Sequence, residues 1–343
     1  MPESAKKTYV SLLPQMLVAS VVSGLFIYFL FSPAIANFFL GFLVGLQSHL
    51  YITTYEIFVR PRLSRRNFFL ALATGTLVYI FLIVLSVFIA ITILNNFKIS
   101  LVFANFKTIL FSTAMAYGLS FGLVLSFVFS SYSMFETLLG RHFLFKLFTG
   151  KYHRPFEEER VFMFLDLKSS TALAEKLGHK IFLQLLNDFF YDVSQAVMHS
   201  KGEIYKYVGD EAIITWKMKK VAGKSLPLDC FFRIDTEIEE NRQKYIKRYG
   251  LVPEFKAGMH GGTVVTGEMG YIKKEIAFLG DVLNTTSRIE SLCNTMNKRL
   301  LVSDELLSRI QTNKYLPEPL GGVALRGKQK SVAVSSVILK GKA

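Results

Sequence analysis

The sequence predicts two units of different class: an α-helical transmembrane bundle of four spans, followed by an α/β domain with helices on a mostly antiparallel sheet. Two observations predict this. Up to about residue 134 the chain is a succession of long apolar runs with basic residues at their ends, and from residue 161 short strand-like runs alternate with helical ones. Apolar residues make up 51% of the chain and mean hydropathy is +0.35, high for a water-soluble protein, with the excess concentrated before residue 140.

The apolar runs are Tyr9–Phe31, Ala34–Val59, Phe68–Leu94 and Thr108–Met134. Each is long enough to cross a hydrocarbon core of ~30 Å as a helix, and they largely lack the polar stripe that helices of a soluble bundle need. Lys6 and Lys7 precede the first run, Arg60-Pro-Arg-Leu-Ser-Arg-Arg66 fills the second turn, and Arg141, Lys146, Lys151 and Arg154 follow the fourth run. The opposite turns carry only Lys98 and Lys107, so the basic residues place both termini and the C-terminal domain in the cytoplasm. The first run continues into further spans, so no cleavable signal peptide is expected. The net charge of +14 at first suggests nucleic acid. Its basic residues flank the apolar runs instead, and no groove-reading motif accompanies them. Cys230 and Cys293 are too few for a disulfide framework or a zinc site, which fits a reducing compartment.

Span two carries Gln47, His49 and Glu56. Glu56 lies near the cytoplasmic end and can reach the interface, whereas His49 is either a contact for a sensed ligand or an interhelical hydrogen bond. Gly41-Phe-Leu-Val-Gly45 and Gly118-Leu-Ser-Phe-Gly122 have the spacing that lets helices approach closely, within one chain or between two. Residues 135–160 form an amphipathic linker, basic between its apolar positions, broken by Gly150-Lys-Tyr-His-Arg-Pro155.

The C-terminal domain spans 161–343. Its pattern predicts a strand over 161–166, a helix over 171–199, strands at 203–208 and 211–217 around Gly209-Asp210, and a helix over 225–249. Strands at 254–260 and 263–268, a helix through Thr285–Met296 and short strands to Leu339 complete it.

Asp166 and Asp210 each end an apolar strand-like run, which places a carboxylate at the mouth of a sheet, where Mg²⁺ finds oxygen ligands and substrate phosphates complete the shell. Ser169, Ser170 and Thr171 open the following helix, whose free N–H groups can cradle phosphate. Either aspartate alone reads equally well as an ordinary strand-end carboxylate.

Together with their surroundings they resemble the class III adenylate/guanylate cyclase family. The resemblance is carried by Phe164-Leu-Asp-Leu-Lys-Ser-Ser-Thr171, Lys206-Tyr-Val-Gly-Asp210, Gly258-Met-His-Gly-Gly262 with Gly267-Glu-Met-Gly270, Gly280-Asp-Val-Leu-Asn-Thr-Thr-Ser-Arg288 and Leu325-Arg-Gly-Lys328, in the family's order. It covers the C-terminal half and implies an enzyme that converts ATP to cyclic AMP; with the apolar runs before it, a bacterial-type enzyme of the inner (cytoplasmic) membrane is expected. Two Mg²⁺ or Mn²⁺ ions per site would be held by Asp166, Asp210 and the Leu167 carbonyl. Asn284 would orient the ribose and Arg288 would stabilise the developing phosphorane charge. Arg326, or nearby Lys328, would bind the triphosphate, and Lys273 or Lys274 are weaker candidates. Lys206 would read the purine edge, since an ammonium can donate to adenine N1 but not to guanine N1–H. Its partner position is Ala277, which cannot accept from adenine's amino group and leaves strict selectivity open. Because the chain carries each half-site once, a head-to-tail homodimer is implied. The alternatives are a guanylate or dual-specificity cyclase and a catalytically silent nucleotide-binding receptor. Val208-Gly-Asp-Glu-Ala212 is also similar to the diguanylate cyclase signature, but Lys206 and the Asn284/Arg288 block fit class III better.

Overall fold

The computed structural model describes residues 20–26, 28–29, 35–55, 68–94, 152–272, 274–323 and 331–341, with a few isolated positions besides. Contacts divide the chain into two units, Met1–Gly140 and Arg141–Ala343.

In the first unit α1 (Ile35–Thr54) and α2 (Phe68–Leu94) pack together, with Leu40 and Val44 of α1 against Val84, Val87, Phe88 and Ile91 of α2. Among the described residues one stretch, Ala73–Leu94 in α2, is long and apolar enough to cross a membrane, and α1 contributes the shorter apolar Asn37–Ile52. Most of the first and fourth apolar runs, and Glu56, lie outside the described residues. The hydroxyls of Ser86 and Thr92 donate to the carbonyls of Leu82 and Phe88, which satisfies them inside their own helix. A Cβ on Gly45 would stand 2.7 Å from Ser23 Cβ, so this glycine brings the first apolar run and α1 together within one chain.

The second unit is built on one sheet. In chain order it runs β1 (Phe156–Leu167), α3 (Ser170–Leu177), α4 (His179–His199), β2 (Glu203–Val208), β3 (Glu211–Lys217), α5 (Met218–Val221), α6 (Leu226–Glu240) and α7 (Arg242–Tyr249). Then come β4 (Phe255–Met269), β5 (Glu275–Leu279), α8 (Asp281–Thr295), β6 (Leu300–Ser303), α9 (Asp304–Leu307), β7 (Tyr315–Val323) and β8 (Val332–Leu339). The strand order is β2-β3-β1-β4-β6-β8-β7, with β5 added to the far part of β4. Every pairing is antiparallel except β4 with β6, so the expected mostly antiparallel sheet is present.

Alternation along β1 sorts its side chains between two layers. Val161, Met163, Leu165 and Leu167 join the large core made with α4, α6 and α7. Phe162 and Phe164 face the other way and join Ile213, Val264, Phe278 and Val282 under β5 and α8. Asp166 continues this second row, so the face that carries α8 ends in a carboxylate.

Five elements depart from the sequence pattern. The strand read as starting at 161 begins at Phe156, inside the stretch read as linker. The helix over 171–199 is two helices, because Gly178 takes a left-handed φ of 75° between them, and the helix over 225–249 breaks at Asn241. The strands 254–260 and 263–268 are one strand: Gly261 and Gly262 do not turn the chain. They make room for Met218 and Val282, which a Cβ would meet at 2.8 and 2.9 Å. Finally, β5 and the first turn of α8 fill the stretch between residue 268 and Thr285, for which the sequence pattern predicts no element.

Gly258 has the closest neighbour of all, for a Cβ there would lie 2.3 Å from the Glu290 backbone nitrogen of α8. Gly258→Ala must therefore push α8 off the sheet. It is expected to cost about 1–3 kcal/mol in a denaturation experiment; an unchanged midpoint would contradict this packing.

Candidate active site

Asp166 is the penultimate residue of β1, and antiparallel pairing sets it opposite Glu211 of β3 on one side and Lys256 of β4 on the other. Paired residues on neighbouring strands point to the same face, so three charged side chains meet there. Lys256 Nζ lies 3.0 Å from Asp166 Oδ2 and also binds Glu290 Oε1 of α8 at 2.5 Å. Lys256 and Glu290 are buried, at 5% and 6% exposure, which makes this an interior ion pair rather than a surface one.

The balance of charge is negative. Burial pushes Asp166 up to about 6 despite the Lys256 ammonium, and the charges of Asp210 and Glu290 add to the rise. Burial raises Glu211 to about 7, with Glu290, Asp166 and Asp210 contributing. Burial opposes the charge of Lys256, but Glu290 and Asp166 outweigh it and hold its pKa above the ordinary range. Asp210 is positioned by the β2–β3 turn, where Gly209 has a φ of 64°. The two aspartates singled out from the sequence are thus brought close enough for one to act on the other.

Leu167, buried, ends β1. Ser169 sits at a left-handed φ of 56°, unusual for a residue with a side chain, and precedes α3, which starts at Ser170 and includes Thr171. No side chain caps α3, so its first N–H groups remain available to an anion. Asn284 and Arg288 are four residues apart on α8, Asn284 exposed and Arg288 half-buried, and neither has a side-chain partner among the described residues.

Lys206 lies on β2 and pairs with Glu275 of β5 at 3.1 Å. Ala277 is buried in β5 opposite Gly267. Lys274 is drawn to Glu268 at 2.7 Å, while Arg326, Lys328 and Lys273 lie outside the described residues. His260, from the glycine-rich motif, is buried with its Nδ1 2.8 Å from Ser303 Oγ, and that hydroxyl also accepts from the Leu306 N–H of α9.

Glu211, Lys256 and Glu290 were not singled out from the sequence. The available signal was strand register: once β3 and β4 are paired with β1, the residues opposite Asp166 follow.

Could such a site hold divalent ions? Among the described residues no group of three or more His, Cys, Asp and Glu side chains is arranged to hold one alone. Two carboxylates and a backbone carbonyl form an all-oxygen donor set that suits a hard cation completing its shell with phosphate and water. Burial, with neighbouring carboxylate charges adding to it, raises both Asp166 and Glu211, and it is the all-oxygen donor set that fits such ions.

Residues 153–338 match adenylate and guanylate cyclase catalytic domains, more than half of the chain, and the chain belongs to that family. It is 39% identical over 201 residues to adenylate cyclase 2 of Rhizobium meliloti (strain 1021), covering 58% of this chain and 55% of that protein. To an adenylate cyclase of Anabaena cylindrica it is 22% identical over 180 residues, covering 51% of this chain and 36% of the other. The chain thus spans about half or less of the length of these curated relatives. A solved bacterial light-regulated adenylyl cyclase shares the fold at a TM-score of 0.54 and 20% identity, over 64% of each chain.

The charge surplus has a measurable consequence. As pH rises from 4.5, the ordinary value, to about 7, unfolded Glu211 ionises freely while the folded protein retains the proton, so the folded state loses stability across that window. Glu211→Gln cannot ionise. In protein treated with chelator, its thermal midpoint should gain on the wild type between about pH 5 and about pH 8. A constant difference would show that Glu211 is not held among these charges.

Proposed function

We propose that the protein is a membrane-anchored adenylate cyclase that converts ATP to 3′,5′-cyclic AMP and pyrophosphate at sites shared by a head-to-tail homodimer. What supports this reading is Asp166 at the end of β1, within reach of the charge of Asp210 and four residues before Ser170, where the uncapped α3 starts. Membership of the cyclase family and the likeness to a protein named adenylate cyclase 2 support it.

Asp166, Asp210 and the Leu167 carbonyl would hold two Mg²⁺ or Mn²⁺ ions, whose chemistry is to acidify the ribose 3′-hydroxyl and neutralise triphosphate charge. The N–H groups at Ser169, Ser170 and Thr171 cradle phosphate oxygens, and Arg326, with Lys328 near it, grips the triphosphate. Asn284 of the second copy orients the ribose so that its 3′-oxygen attacks the α-phosphorus. Arg288 of that copy donates to the equatorial oxygens as charge develops on them, and the bond to the pyrophosphate oxygen breaks. Lys206 donates to adenine N1.

The first unit is proposed as a four-span anchor in a bacterial cytoplasmic membrane, with both termini on the cytoplasmic side. Its apolar runs and flanking basic residues support this, and α2 has the required length. His49 of α1 is the position proposed either for an interhelical hydrogen bond or for contact with a sensed ligand. One observation favours a second reading: Ala277 offers no hydrogen bond to the purine, as in a cyclase that accepts GTP as well as ATP.

Purified full-length protein, given ATP and GTP separately with Mg²⁺ and with Mn²⁺, should yield cyclic AMP from ATP, and Asp166→Ala should lower the rate by about a hundredfold or more. Equal or greater turnover of GTP would overturn the substrate. Nucleotide binding without cyclic product would overturn the enzyme.

A further inference from the structure

Resting on the cyclase reading above, we infer that Glu275 accepts the hydrogen bond of the purine 6-amino group and is the specificity-determining partner of Lys206. Side chains alternate along a strand, so Glu275 and Ala277 leave β5 on the same face. Ala277 has no polar atom to offer. The acceptor missing there is present two residues earlier, on a side chain long enough to reach along the strand.

Its position is already fixed. Glu275 Oε1 lies 3.1 Å from Lys206 Nζ, across 69 residues of sequence and between strands that are not neighbours in the sheet. Lys274, next in the chain, is not a competitor, since it turns to Glu268, which also receives His153 at 3.0 Å. Among the described residues Glu275 has no partner besides Lys206, and the two side chains keep 33% and 43% of their surface exposed. Each can therefore bond a ligand while still touching the other: the ammonium has further N–H groups and the carboxylate further lone pairs.

The pair matches one purine. Adenine presents a donor at its 6-position and an acceptor at N1. With Lys206 on N1, Glu275 faces the amino group and both bonds form. Guanine presents the reverse order, a carbonyl oxygen at position 6 and N1–H beside it. The carboxylate would then face an oxygen and the ammonium a donor, leaving four polar groups opposed. This reconciles Ala277 with a preference for ATP. If Glu275 served only as an exposed ion pair, it would add little to stability and nothing to nucleotide choice.

The test is kcat/KM for ATP and for GTP with full-length wild type, E275A, E275Q and E275A/A277D. E275A should lower the ATP-over-GTP ratio by about tenfold or more, chiefly through a higher KM for ATP. E275Q, which retains an acceptor oxygen but can turn its amide outward, should fall between. Restoring a carboxylate at residue 277 should recover much of the ratio in the E275A background. An unchanged ratio in active E275A and E275Q proteins overturns the inference and leaves the cyclase reading standing. Wild-type protein that makes no cyclic product from either nucleotide overturns both.

Discussion

Lys256 is an ammonium buried inside β4, held between Asp166 at the end of β1 and Glu290 on α8. Burying Lys256 and Glu290, with Asp166 half-buried beside them, is costly, and removing one partner of a buried pair leaves the other uncompensated, typically at about 3–5 kcal/mol. The arrangement follows from the sheet: Asp166 is paired across the ladder with Lys256, and Gly258, two residues on, lets the α8 backbone come close enough for Glu290 to reach. The ion set fixes two things at once, the carboxylate proposed to hold metal and the helix that carries Asn284 and Arg288.

It also leaves the site short of positive charge. One ammonium faces Asp166 and Glu290, with Asp210 and Glu211 close by; burial first, and these like charges after it, raise the pKa values of Asp166 and Glu211. Lys206 and Glu275 show the opposite design at the other end of the face, a matched pair left half exposed where a neutral base would lie.

Much of this was legible in the sequence, because it is local. Strands 203–208 and 211–217 around Gly209 agree with the structure to the residue, and Asp166 and Asp210 stood out as polar ends of apolar runs. What escaped was set by partners distant in sequence. Gly261-Gly262 looks like a turn until Met218 and Val282 are seen against it. Lys256 and Glu275 look like ordinary charged strand residues until register sets one beside Asp166 and a long-range contact sets the other beside Lys206. Glu290 looks like a solvated helix residue until α8 is laid on the glycine at 258.

In the proposed homodimer each copy gives its carboxylates to one site and its α8 pair to the other, and a mixture of inactive chains tests this most directly. Asp166→Ala and Arg288→Ala chains, each inactive alone, should regain partial cyclase activity when combined, because a mixed dimer contains one intact site. Verified mixed dimers that remain as inactive as either parent would contradict a shared site.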